Sequence, residues 1–173
     1  MKRALFILGQ LTDSDIEWMI ENGSSTHRRR GEKVIGHGEI VEDLSIVLSG
    51  ILEVVREDED LLVSRIGSGE MIGEMSLIDS KPPSVSVIAS ETCKLYTIPL
   101  SRLRQKMEVD QGFAARLYCA IATFLSSRLR LTTSRLGYGD AQDSADEIDI
   151  NVLSSVGQAG ARFTRIVQRF SEI

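Results

Sequence analysis

The chain is poor in the residues that build metal centres and covalent frameworks. Among 173 residues there are two cysteines, two histidines, three prolines and one tryptophan. Cys93 and Cys119 are too few for a disulfide scaffold, which points to a reducing compartment and a cytoplasmic protein. Both read as small buried residues. His27 and His37 leave most histidine-based metal sites out of reach. Long apolar runs are missing too. Ala4-Leu5-Phe6-Ile7-Leu8 follows Lys2-Arg3 but is cut by Gly9-Gln10, too short for a spanning helix or a secretory leader. Positive charge is in deficit: 20 Lys and Arg face 25 Asp and Glu, a net charge of −5. That balance argues against a surface that wraps nucleic acid.

What is present is a globular composition, 42% hydrophobic and 26% charged, in a chain long enough for one domain with additions. Charge divides it into three sections. Residues 1–100 hold 10 Lys and Arg against 17 Asp and Glu; residues 101–137 hold 7 against 2, and residues 138–173 hold 3 against 6.

The first section opens with a helix that Asp13 or Ser14 can cap, with Ile16, Met19 and Ile20 at helical spacing and Gly23 as its stop. From Gly31 to Pro99 the pattern changes to short Val- and Ile-rich runs cut by glycines: Lys33–Gly36, Ser45–Leu48, Ile51–Arg56, Leu61–Ile66, Ser84–Ser90 and Leu95–Ile98. Arg56–Leu61 reads as a charged hairpin tip. Short strands at this spacing predict an antiparallel, jelly-roll-like β-roll over about residues 25–99. The fold class is mainly β with flanking helices.

The second section is helical. Pro99 starts a short helix to about Met107, and Asp110 caps a long one over about 111–136. Ala114, Tyr118, Ile121, Leu125, Leu129, Thr132 and Leu136 form a single face. That face is longer than the β-roll can cover, which predicts a homodimer through 111–136. Arg116, Arg128, Arg130 and Arg135 share this helix with no acidic residue. The last three are able to touch phosphates or the acidic linker of a partner chain, but the row reads first as a solvated face.

The third section begins with an acidic linker at 137–146. Ser144-Ala145-Asp146-Glu147 forms a capping box for an amphipathic helix over 147–173. Its face is Ile148, Val152, Val156, Ala159, Phe163, Ile166 and Phe170. Gly157 and Gly160 weaken that helix and imply close approach to a neighbour.

The glycine spacing is more specific. Gly31-Glu32-x-Val34-Ile35-x-x-Gly38-Glu39 is followed by Leu44-x-Ile46-Val47-Leu48-x-Gly50-x-Leu52. The third block is Gly67-x-Gly69-Glu70-x-Ile72-Gly73-Glu74-Met75-Ser76-Leu77. Together they resemble the cyclic nucleotide-binding domain, over residues 3–136. This is the β-roll of catabolite-activator-type regulators, cyclic-nucleotide-dependent kinases and gated channels.

The resemblance implies a ligand phosphate at the short helix opening with Gly73-Glu74 and a ribose hydroxyl held by Glu74. The candidate binding residues are Ile72, Gly73, Glu74, Met75, Ser76, Pro83, Ser84, Val85 and Ser86, and the candidate ligand is cyclic AMP or cyclic GMP. A structural reading stands beside it: Gly73-Glu74 ends a strand and opens a helix, and does nothing more.

The family's cassette continues with an arginine that pairs with the cyclic phosphate. Here the stretch is Pro82-Pro83-Ser84-Val85-Ser86, and Pro83 takes that place, with neither charge nor N–H. Loss of one charge-assisted hydrogen bond weakens binding by about 10–150-fold. Ser84, Ser86 and backbone N–H groups can recover part of it, while Lys81 reads as solvent-facing.

The Pro-Pro-Ser cassette resembles a short stand-alone bacterial subgroup filed with the Crp/Fnr regulators. So do Gly112-Phe113-Ala114-Ala115-Arg116, Arg128-Leu129-Arg130, Leu136-Gly137-Tyr138-Gly139 and Gly160-Ala161-Arg162-Phe163. The 37 residues after 136 are too few for a winged helix-turn-helix, so no direct DNA binding is expected. Ser126, Ser127, Thr132 and Thr133 lie where family members place polar side chains over the base.

A cupin-type metalloenzyme shares a β-roll, and His37 lies near Glu39, but such a centre needs more histidines. No catalytic residue, metal or cofactor is assigned. The expected function is a non-catalytic sensor that relays ligand binding through its helices to a protein partner. The alternative is a ligand-free domain of the same fold acting as an interaction adaptor.

Overall fold

A computed structural model describes residues 8–135 and 150–171. Helix α1 (Asp13–Asn22) leads into strands β1 (Ser24–Arg28), β2 (Lys33–Ile35), β3 (Asp43–Ser49), β4 (Leu52–Arg56), β5 (Leu61–Ile66) and β6 (Met71–Ile72). The short helix α2 (Glu74–Asp79) precedes β7 (Ser86–Ala89) and β8 (Cys93–Pro99). Helices α3 (Leu100–Val109), α4 (Gln111–Arg135) and α5 (Ile150–Ser171) follow.

Two four-stranded antiparallel sheets, β1-β8-β3-β6 and β2-β7-β4-β5, form the β-roll. The first is buried on both faces. Leu44, Ile46 and Leu48 of β3 and Tyr96 and Ile98 of β8 join the helices in one core. Their alternating neighbours Val47, Cys93 and Leu95 meet the second sheet in another, with Leu52, Val54, Ile66, Ile72 and Val87. Period-two alternation with the core on both sides yields the unbroken buried run Leu44–Leu48 of β3, in which Ser45 is the one polar residue.

The expected strands are present with shifted ends, and β5 matches its expected span. Two strands escaped the pattern. β1 (Ser-Ser-Thr-His-Arg) is an edge strand of polar residues, and β6 has only two residues.

Side chains set the starts of α1 and α4. Thr12, not Asp13 or Ser14, caps α1, in a capping box with Asp15. Asp110 Oδ1 accepts from Phe113 N at 2.8 Å and opens α4. The single face expected on α4 is in fact two. Phe113, Leu117, Ala120, Ile121 and Phe124 are buried in the core, whereas Tyr118 and Leu129 face out, 48% and 67% exposed.

Ala159, Ile166 and Phe170 seat α5 in the same core, with Phe163 packed against it. Gly157 does not have the expected close neighbour: nothing lies within 4 Å of a Cβ placed there. Cys93 is buried as expected, but Cys119 is exposed on α4. The linker at 137–146, the 144–147 capping box, Leu136 and Ile148 lie outside the described residues.

Candidate functional site

Strand β6 ends in an elbow at Gly73. Its φ is +88°, and a Cβ there would lie 2.4 Å from the Asp43 carbonyl oxygen, so only glycine allows the chain to turn this close to β3. The elbow sends Glu74 inward, where it is 2% exposed. Burial pushes the Glu74 carboxyl pKa up, and Arg128 opposes the rise. Arg128 Nη1 donates to Glu74 Oε1 at 3.0 Å. The guanidinium lies 5.3 Å from the centre of the Phe124 ring, a cation–π contact that steadies it.

Around this pair lies a cleft of about 100 Å³. Ile35, Val41, Val54, Ile66 and Val87 form apolar walls beside Gly73, Glu74 and Arg128. A larger hollow, about 490 Å³, lies over Arg30, Ile51, Glu53, Arg65 and Ile88. It is open surface on the outside of the second sheet and contains none of the candidate binding residues.

Seven of the nine candidate residues line the cleft: Ile72, Gly73, Glu74, Met75, Ser76, Pro83 and Val85. Ser84 and Ser86 do not. Strand alternation turns Val85 and Val87 to the cleft and Ser86 away from it, where Ser86 Oγ accepts from His37 N at 3.0 Å. Ser84 is exposed. The Ser76 hydroxyl donates to the Lys81 carbonyl at 3.0 Å, and the Lys81 side chain is 79% exposed beside Asp79. The Pro83 carbonyl accepts from Gly38 N at 2.8 Å, so the proline is held in place although it offers the cleft no donor.

Arg128 is the residue the sequence reading put elsewhere, in a solvated row. Its position follows from the buried side of α4: Leu117, Ile121, Phe124 and Arg128 succeed one another at steps of three or four. The hydroxyls of Ser127, Thr132 and Thr133 are spent inside α4, each donating to the carbonyl four residues earlier. Among the described residues no group of three or more His, Cys, Asp and Glu is placed to hold a metal ion.

Comparison with known proteins agrees with this architecture. The family model described as the cyclic nucleotide-binding domain matches residues 26–110. The CRP-like protein Clp of Xanthomonas campestris pv. campestris (strain B100) is 35% identical over 129 residues, covering 68% of this chain and 56% of Clp. The chain thus spans about half the length of the curated relatives it matches.

Among solved structures, a cyclic nucleotide-binding domain from Methylobacillus flagellatus KT superposes with a TM-score of 0.69 at 18% identity, covering 85% of each chain. The c-di-GMP responsive global regulator CLP of Xanthomonas campestris gives a TM-score of 0.62 at 25% identity. That match covers 90% of this chain and 91% of the other.

These relatives overturn the expectation of no direct DNA binding. It rested on the length left after residue 136, yet the matched regulator acts on gene expression. Because the chain spans only part of its curated relatives, that length excludes no DNA partner.

Proposed function

Residues 26–110 belong to the cyclic nucleotide-binding domain family, in its Crp-like branch, and from that premise we propose a non-catalytic sensor. Its ligand is a cyclic nucleotide of the cyclic AMP or cyclic GMP type, or a related cyclic phosphodiester. It binds at the cleft between the Gly73 elbow and α4, and the helices relay the event to a partner. The carrying observation is that a buried carboxylate, Glu74, meets a side chain of the long exit helix, Arg128, at 3.0 Å. A group at the start of α2 that would hold the ligand is thereby linked to the helix that would report it.

The cleft volume supports a coupled opening. Small-molecule sites span roughly 300–1,000 Å³, and this one has about 100 Å³. A mononucleotide enters only if one wall yields, and α4 is the wall held by the Glu74–Arg128 pair. The outward side of α4 supports the expected homodimer with a corrected seam: Ala115, Tyr118, Ala122, Leu125 and Leu129 recur at alternating steps of three and four. A cytoplasmic site of action completes the reading; among the described residues no helix is long and apolar enough to cross a membrane.

Titration calorimetry with cyclic AMP, cyclic GMP and cyclic di-GMP tests the proposal. Saturable heat from any of them is expected, and Glu74→Ala abolishes it. No heat from all three, and still none after Pro83→Arg, would sink the sensor. Unchanged affinity in Glu74→Ala removes that residue from the site. The second reading, a ligand-free adaptor, is favoured by Pro83 and the narrow cleft and predicts the silent outcome.

A further inference from the structure

Resting on the sensor reading, the geometry points to Arg128 as the cationic partner of the ligand's phosphodiester, replacing from α4 the arginine that the cassette lacks at Pro83. The cassette itself offers no such group. Lys81 is turned to solvent, the Ser76 hydroxyl is committed to a carbonyl, and Ser86 faces away. Among the described residues that line the cleft, Arg128 is the one cation.

Its donors are available. A guanidinium carries five N–H groups in a fork that matches the oxygens of a phosphodiester. Among the described contacts one of them is used, toward Glu74 Oε1. The side chain is 30% exposed, its plane is steadied by Phe124, and the apolar walls strengthen any charge-assisted bond formed beside them. Ligand binding is then an exchange of partners. Arg128 turns from the Glu74 carboxylate to the phosphodiester, and the freed carboxylate accepts from a ligand hydroxyl. Because Arg128 belongs to α4, anion recognition and helix displacement are one event.

The test compares cyclic AMP with adenosine, and cyclic GMP with guanosine, on wild type, Arg128→Gln and Arg128→Lys, with a thermal melt of each variant. The wild type is expected to prefer the cyclic nucleotide. Arg128→Gln reduces that preference by about 10–150-fold, and Arg128→Lys, which keeps the charge, retains most of it. Equal weakening toward nucleotide and nucleoside would mean that Arg128 only positions Glu74, and overturns the proposal. An unchanged preference in Arg128→Gln, or equal wild-type affinity for nucleotide and nucleoside, does the same while leaving the sensor intact. Binding of neither ligand class by the wild type overturns this proposal together with the cyclic mononucleotide reading.

Discussion

Arg116 grips Asp15 with two parallel hydrogen bonds, Nε to Oδ2 at 2.7 Å and Nη2 to Oδ1 at 2.9 Å. The two residues are 101 positions apart, and the contact ties α4 to α1. The same carboxylate accepts from Thr12 N at 2.8 Å, so one buried side chain closes a helix cap and anchors a second helix. Arg128 fastens the other half of α4 to Glu74. Helix α4 is therefore held by two arginines, one toward the helical layer and one toward the cleft. Loss of the second leaves the first as a pivot.

Asp15→Asn keeps the shape of the cap and removes the charge from this anchor. Burial alone would raise the Asp15 carboxyl, but the Arg116 and Thr12 hydrogen bonds outweigh it and hold its pKa below the usual 3.8. A depressed carboxyl contributes stability above its unfolded value and loses it as pH falls through the folded one. Asp15→Asn is expected to cost about 1 kcal/mol at pH 7. Its melting difference from wild type narrows as pH drops below 3.8. Thermal melts from pH 7 to pH 3 check this; a difference that stays constant across the range removes the charge from the argument.

Glu74 has the opposite sign. Burial raises its pKa above 4.5 despite Arg128. A raised carboxyl therefore favours the folded state at low pH, and that contribution fades as pH rises through the folded value. The ligand-free protein with Glu74→Gln lacks this decline. Its melting temperature relative to wild type should thus climb between pH 4 and pH 7. A relative melting temperature that falls over that interval would show that ionised Glu74 stabilises the empty site.

The readable part of this molecule was the part whose burial leaves a periodic trace. Val and Ile runs separated by glycine marked six strands, and Gly73-Glu74 marked the elbow because the turn tolerates only glycine. Polar β1 left no trace, since an edge strand is held by backbone pairing to β8 rather than by apolar side chains. Arg128 was misjudged for a physical reason: a guanidinium on a helix is ordinarily solvated, and only the three-dimensional meeting of α4 with Glu74 makes it otherwise. Ser86 was misplaced by one alternation step. The run Ser84–Ser90 reads as a strand, which offers the cleft every second side chain, yet every residue from Pro83 to Ser86 was counted as ligand-facing.

The seat of α5 is predicted to be a separately breakable unit. Arg162 donates to the carbonyls of Leu8 at 2.9 Å and Gly9 at 3.3 Å and pairs with Asp13 at 2.8 Å. Lys94 donates to the Phe170 carbonyl, and the Phe170 ring lies 5.4 Å from Tyr96. Arg162→Ala removes three contacts at one end of that seat and leaves the two sheets untouched. Amide exchange should accelerate about tenfold along α5, matching the loss of roughly 1.4 kcal/mol. Amides of β3 and β8 should keep their wild-type rates. Uniform acceleration in both would show that α5 and the β-roll open together.

The outward seam of α4 makes the last prediction. Tyr118 and Leu129 are 48% and 67% exposed and contribute little to the chain's own core, so their value to an isolated protomer is small. Paired against a second copy, the seam would bury them at the centre of a coiled-coil-like contact. Aspartate at both positions places like charges opposite one another across that contact and takes no apolar group from the protomer's core. Sedimentation velocity at tens of micromolar should find the wild type as a dimer and Tyr118→Asp/Leu129→Asp as a monomer, with melting temperatures that differ little once dissociation is allowed for. A monomeric wild type, or a doubly substituted protein that still sediments as a dimer, places the contact elsewhere or removes it.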